Sequence, residues 1–130
     1  MARDIDEVSG IVVDAAFKLH TELGPGLLES VYQAVLSRDL TRRGLHVVSQ
    51  SFVTFEYDGL RFDDALRVDL LVDGQLVVEL KSVEELAPAH FKQVLTYLRL
   101  LRLQVGLLIN FGAPTFKEGI HRVVNKYCTF

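Results

Sequence analysis

Arg67-Val68-Asp69-Leu70-Leu71-Val72-Asp73-Gly74-Gln75-Leu76-Val77-Val78-Glu79-Leu80-Lys81 is the stretch on which the fold turns. Two apolar runs with interspersed polar residues flank Asp73-Gly74, a dipeptide that favours a hairpin turn. On the first run, strand alternation sets Asp69 opposite Val68 and Leu70. On the second, Glu79 and Lys81 share the face opposite Val78 and Leu80, roughly 7 Å apart at the backbone. Register decides whether Asp69 joins them. A two-residue turn pairs Asp69 with Val78 and leaves it on the wrong side. A three-residue loop, Val72-Asp73-Gly74, with Gly74 left-handed, pairs Asp69 with Val77 and brings all three polar residues to one face. The odd-length loop is expected, because the other arrangement sets a carboxylate against the apolar side.

Upstream, Val47, Val48, Phe52, Val53, Phe55 and Tyr57 read as a strand ending at the hairpin signal Asp58-Gly59, with the partner strand running from about Leu66 to Val72. Earlier still, Ile5, Val8, Val12, Ala15 and Leu19 recur at helical spacing up to Gly24-Pro25-Gly26. A second helix from about Leu27 to Arg43 carries Leu28, Val31, Tyr32, Val35 and Leu36 as its apolar face and ends at Gly44. Downstream, Pro88 opens a third helix to about Arg102. Val105–Phe111 reads as a buried strand and Ile120–Val124 as a short last one. The order is helix, helix, three strands, helix, strand, strand: a mixed α/β fold of α+β character, with a small central sheet flanked by helices.

Two carboxylates on neighbouring strands supply the hard oxygen ligands that Mg²⁺ or Mn²⁺ prefers, and the Leu80 carbonyl between Glu79 and Lys81 is a further candidate ligand. A cation held there activates water and neutralises charge on a phosphodiester, while Lys81 orients that water, stabilises developing negative charge or transfers a proton. The alternative is a surface Glu–Lys pair beside an unrelated hairpin Asp. Glu29, at the edge of the second helix's apolar face, is either a helix-start acid favoured by the dipole or a partly desolvated group seeking a partner. Gln93 holds a similar marginal position on the third helix, near Tyr97. His20 and His90 read as packing or helix-end residues. Arg38, Arg42 and Arg43 cluster on the second helix and read first as a solvated face, with phosphate contacts as the alternative, and Arg61, Arg67 and Lys92 are candidates for the rim of a cleft.

The chain of 130 residues is 49 % hydrophobic and 24 % charged, enough for one packed core and wrong for disorder. A single domain over residues 1–130 is expected, since neither a repeat nor a linker interrupts it. Net charge is −3, so no broad basic stripe announces nucleic acid. Cys128 is the only cysteine and reads as an inert thiol. The start of the chain lacks the apolar segment of a secretory signal, and Tyr97–Phe111 is too short and too polar for the ~20 apolar residues of a membrane span. A cytoplasmic location is expected. The apolar Leu98–Leu103 region is compatible with a homodimer.

These motifs together resemble the GxxExxY proteins of the PD-(D/E)XK nuclease superfamily. Gly26-Leu27-Leu28-Glu29-Ser30-Val31-Tyr32 carries the naming motif, and the resemblance continues through Asp69, Glu79-Leu80-Lys81, Gln93–Leu98 and Gly106–Phe111. It implies a restriction-endonuclease-like core, Asp69 and Glu79 as metal ligands, Lys81 as catalytic lysine, Glu29 as a helix acid completing the metal shell, and Gln93 as a supporting polar residue. The implied activity is metal-dependent hydrolysis of phosphodiester bonds in DNA, with RNA as a further candidate. A non-catalytic binding module retaining the fold is the competing reading. Val68 stands where the superfamily's name places a proline, a change that suits a strand better.

Overall fold

Asp4 starts the first helix by accepting the Glu7 N–H on its carboxylate at 2.9 Å, and α1 then runs over Ile5–Leu23. Val8, Val12, Ala15, Ala16 and Leu19 form its buried stripe, and Gly24 ends it in a left-handed conformation (φ 68°). The computed structural model describes residues 3–126, so Cys128 lies outside the described residues. The second helix, α2, spans Glu29–Arg42, shorter at both ends than its periodicity suggests, because Leu28 is extended and Arg43 is the cap. Arg43 braces the two helices through Asp14 (2.6 Å) and Asp39 (3.3 Å).

Only Tyr32, Leu36 and Leu40 of α2 are buried. Leu28, Val31 and Val35, expected on its apolar face, are exposed by 74, 39 and 43 %. A neighbouring row of α2 faces the sheet. Its Tyr32–Leu36–Leu40 row enters the core, while Gln33 and Ser37 turn to the first strand and bond it through Gln50 and Ser49.

Strands β1 (Val47–Tyr57) and β2 (Leu60–Val72) form a long hairpin whose turn residues, Asp58 and Gly59, both have positive φ, as the dipeptide predicts. Next come β3 (Leu76–Lys81), α3 (Pro88–Leu101), β4 (Val105–Asn110), a single turn α4 (Phe116–Gly119) and β5 (Ile120–Val124). The sheet order is β1-β2-β3-β4-β5, antiparallel except for the β3–β4 pair that α3 connects. This is the expected mixed sheet flanked by helices. Two features differ in detail: β2 begins at Leu60 rather than Leu66, and α4 is too short to leave a periodic trace.

The β2–β3 loop has the expected odd length but lies one position further along. Val72 pairs with Leu76, so the loop is Asp73–Gln75 and Asp69 falls opposite Glu79 rather than Val77. A contact from elsewhere in the chain moves it. Asp73 donates its N–H to the His46 carbonyl and accepts the His46 N–H on its carboxylate, each at 2.7 Å, which keeps Val72 in the ladder. Parity is unchanged, and Asp69 stays on the side of Glu79.

Two apolar layers cover the sheet. One gathers α1, α2, Leu70, Val72, Val78 and Leu80; the other gathers α3, Leu66, Val68, Val77 and Leu108. Val68 and Leu70, expected on one face, therefore lie on opposite faces. The alternation breaks at Asp69, where the β1–β2 ladder skips a pair and Gln50 adopts a left-handed φ of 52°. Leu98 of the proposed dimer region is fully buried in the α3 layer, with Leu101 and Leu103 packed beside it and Leu100 exposed. No helix among the described residues is long and apolar enough to cross a membrane.

Gly112 marks a close approach of β4's end to the loop after β3, since a Cβ there would meet the backbone of Val83. Gly112→Ala is expected to cost about 2–3 kcal/mol by overpacking, read as a lower urea midpoint at unchanged slope. An unchanged midpoint would show that this approach is loose.

Candidate active site

The β2–β3 ladder ends at Leu70–Val78, and the next position on each strand sends a carboxylate into the opening. The Asp69 N–H donates to Glu79 Oε1 at 3.1 Å, and the Leu80 N–H donates to Asp69 Oδ2 at 2.9 Å. Side chains thus take over where main-chain rungs stop. In a strand, the N–H and C=O of one residue point the same way, so the Leu80 carbonyl is directed to the same opening as its N–H.

Glu79 is only 3 % exposed. Burial first, and the neighbouring Asp69 charge second, push its carboxyl from 4.5 to about 8, against the opposing pull of the Asp69 N–H and the Lys81 charge. The charges of Asp69 and Lys81 thus both act on Glu79. Tyr97 of α3 faces the same acids. Its hydroxyl is raised above the ordinary tyrosine range by burial, then by Glu79 and Asp69, while a hydrogen bond with Gln93 acts in the other direction. Gln93, itself exposed, bears on the site through Tyr97.

Glu29 occupies the first position of α2, exposed, with its carboxylate 3.4 Å from the Ser82 N–H, one residue beyond Lys81. The Gly26-to-Tyr32 motif explains this placement. Gly26 has a φ of 110°, and the buried Tyr32 stacks on Phe111 at 4.3 Å. The Tyr32 hydroxyl donates to the Gly24 carbonyl and accepts the Leu27 N–H, fastening the turn that delivers Glu29. Across from it, Ser82 Oγ donates to the Leu27 carbonyl at 2.6 Å. Among the described residues, no three His, Cys, Asp or Glu side chains close into a cage. Asp69 and Glu79 converge, and Glu29 stands apart at the end of β3.

Three supporting residues escape sequence reasoning. Asn110, 4 % exposed, accepts the Val83 and Gly112 N–H groups on Oδ1 and donates to the Val83 carbonyl, which fixes the loop after Lys81. Gln50 Nε2 donates to Gln33 Oε1 at 2.6 Å and to Asp69 Oδ1 at 3.4 Å. Gln50 Oε1 is buried without a donor. The trace of Gln50 in the sequence is a polar interruption, Ser49-Gln50-Ser51, in the β1 pattern, and Asn110 is the polar residue near the end of the Gly106–Phe111 run. The histidines are structural, as their positions suggest: His20 packs on Phe111 and Phe116 and bonds the Ala113 carbonyl, and His90 accepts the Ala87 N–H at the start of α3. Arg61 pairs with Asp63 on the hairpin, whereas Arg67 lies within electrostatic reach of Tyr97.

The donor set fits a hard divalent cation. It offers two carboxylate side chains and a main-chain carbonyl, and a cation there would offset the burial and the Asp69 charge that together raise the Glu79 carboxyl. The family model described as the PD-(D/E)XK nuclease superfamily matches residues 6–123. The chain belongs to that superfamily. No curated protein and no solved structure matches it.

A pH dependence follows for the metal-free protein. Native Glu79 keeps its proton up to about pH 8, whereas the unfolded chain releases it near 4.5. Its contribution to stability is complete below the lower value and lost as pH rises through the upper one. Urea denaturation at pH 5 and 8.5 should show a loss of a few kcal/mol, on the order of 1.4 kcal/mol per unit of displacement at most, and Glu79→Gln should remove most of it. An equal loss in both proteins would contradict the buried, protonated carboxyl.

Proposed function

We propose that this superfamily member is a metal-dependent nuclease of the GxxExxY group, hydrolysing phosphodiester bonds in DNA and, secondarily, in RNA. The observation that carries the reading is the pairing of the buried Glu79 with the half-buried Asp69 at the end of the β2–β3 ladder, with the Lys81 charge acting on Glu79. Asp69, Glu79 and the Leu80 carbonyl would hold Mg²⁺ or Mn²⁺, with Glu29 joining the shell through water from the end of β3. A cation so bound supplies Lewis-acid stabilisation and a water of lowered pKa. Lys81 donates to the attacking water or to a non-bridging phosphate oxygen, where negative charge grows during in-line displacement. Tyr97, hydrogen-bonded with Gln93, faces the acids from the α3 side. Retention of both acids and the lysine in one opening favours catalysis over a binding module that only keeps the fold.

Incubation of plasmid, circular single-stranded DNA and RNA with the protein in Mg²⁺ or Mn²⁺ tests the activity. The wild type should cut at least one of them, and chelation should abolish cutting. Lys81→Ala should lose roughly 10²-fold or more, Asp69→Ala should be silent, and Glu29→Ala should be slowed but active. A pure wild type that cuts none of these substrates in either metal would contradict the reading.

A further inference from the structure

Beside the acids, between α2 and the hairpin, runs an open groove lined by Gln33, Ser37 and Arg38 on one wall and Ser49, Gln50 and Arg67 on the other. Its floor is unusual for a helix laid against a strand. Where apolar packing is the norm, Gln33 bonds Gln50 at 2.6 Å and the Ser37 and Ser49 hydroxyls meet at 3.1 Å. The chain carries 17 acidic against 14 basic residues, yet among the described residues no carboxylate lines this groove. Two guanidiniums do, one on each wall. The groove reaches the acids from this side, because Gln50 Nε2 also donates to Asp69 and Arg67 lies two positions before it on the same strand.

At the rim stands Phe52, paired with Arg67 across the β1–β2 ladder, its ring 5.9 Å from the guanidinium carbon and the residue 58 % exposed. A bulky aromatic left in water beside a cationic groove is the combination that holds single strands, where phosphates follow the charge and a base stacks on the ring. Hydroxyls, amides and guanidiniums are also the usual partners of backbone phosphates. A duplex is a poorer match. It would bring a second phosphate backbone towards the hairpin, which carries Glu56, Asp58, Asp63 and Asp64 against Arg61, and it would call for a broader basic surface than two arginines.

We infer that this groove is the binding track for a single nucleic-acid strand, with backbone phosphates on Arg38 and Arg67 and a base on Phe52, leading the chain to Asp69. The inference rests on the nuclease reading for its direction, but its test is binding, which needs no catalysis. The probe is a labelled oligothymidylate about 12 nucleotides long, compared with a hairpin duplex of similar length by fluorescence anisotropy in EDTA over a range of salt. The strand should bind more tightly than the duplex. Phe52→Ala should weaken strand binding about tenfold. Arg38→Ala and Arg67→Ala should each weaken it and lower the slope of log affinity against log salt by about 0.7. Arg122→Ala, which removes a cation paired with Asp6 on the far edge of the sheet, should change neither. Absent strand binding, preference for the duplex, or variants that bind like the wild type would each overturn the inference. Cutting by the wild type with Arg38 and Phe52 variants unaltered would sink the groove and leave the nuclease. Strand binding that depends on the groove, without cutting in Mg²⁺ or Mn²⁺, would do the reverse.

Discussion

The candidate site depends on one interruption in an otherwise regular sheet. Past Leu70–Val78 the main-chain rungs between β2 and β3 cease, and two carboxylates occupy the space, each receiving a main-chain N–H from the opposite strand. Holding two acids together at 3 % exposure for Glu79 is unfavourable while both are charged, and the protein resolves the conflict by keeping a proton on Glu79 up to about pH 8. That is a costly arrangement for a purely structural purpose, since an apolar pair would fill the position without desolvating charge. It suits a site whose partner is a cation, where the same crowding of negative charge becomes binding strength.

The surrounding structure keeps the interruption open and rigid. On the α2 side, the left-handed Gln50 breaks the β1–β2 ladder and sends its amide to Asp69. On the far end of β3, Asn110 and Ser82 tie the following loop to β4 and to the turn before α2. Tyr32, stacked on Phe111, holds that turn from beneath. The three named positions of the Gly26, Glu29 and Tyr32 motif therefore have separate physical duties. Gly26 supplies a backbone angle, Tyr32 a clamp, and Glu29 the charged group that the other two place beside the end of β3.

Much of this was legible before any coordinates. Period-two alternation is enough to put Glu79 and Lys81 on one face, and Asp58-Gly59 and Gly44 punctuate the chain where they are expected to. What escapes is decided by contacts distant in sequence. The β2–β3 loop shifts because His46 holds Asp73, and nothing within the hairpin reveals that bond. Val68 and Leu70 part company because Gln50 takes a left-handed angle that no local residue type demands. The apolar residues Leu28, Val31 and Val35 fit a helical stripe, yet α2 meets the sheet through a neighbouring row. Gln33 and Gln50 carry no charge and form no motif, and the part that Asn110 plays, within the Gly106–Phe111 stretch, is disclosed only by its hydrogen bonds.

The central claim is that Asp69 and Glu79 form a divalent-cation site, and a titration of metal-free protein with Mn²⁺ and Mg²⁺ by calorimetry tests it most directly. The account predicts saturable binding by the wild type that is abolished in Asp69→Ala and weakened in Glu29→Ala. A wild type that takes up neither metal at millimolar concentration, with or without the oligothymidylate present, would contradict it.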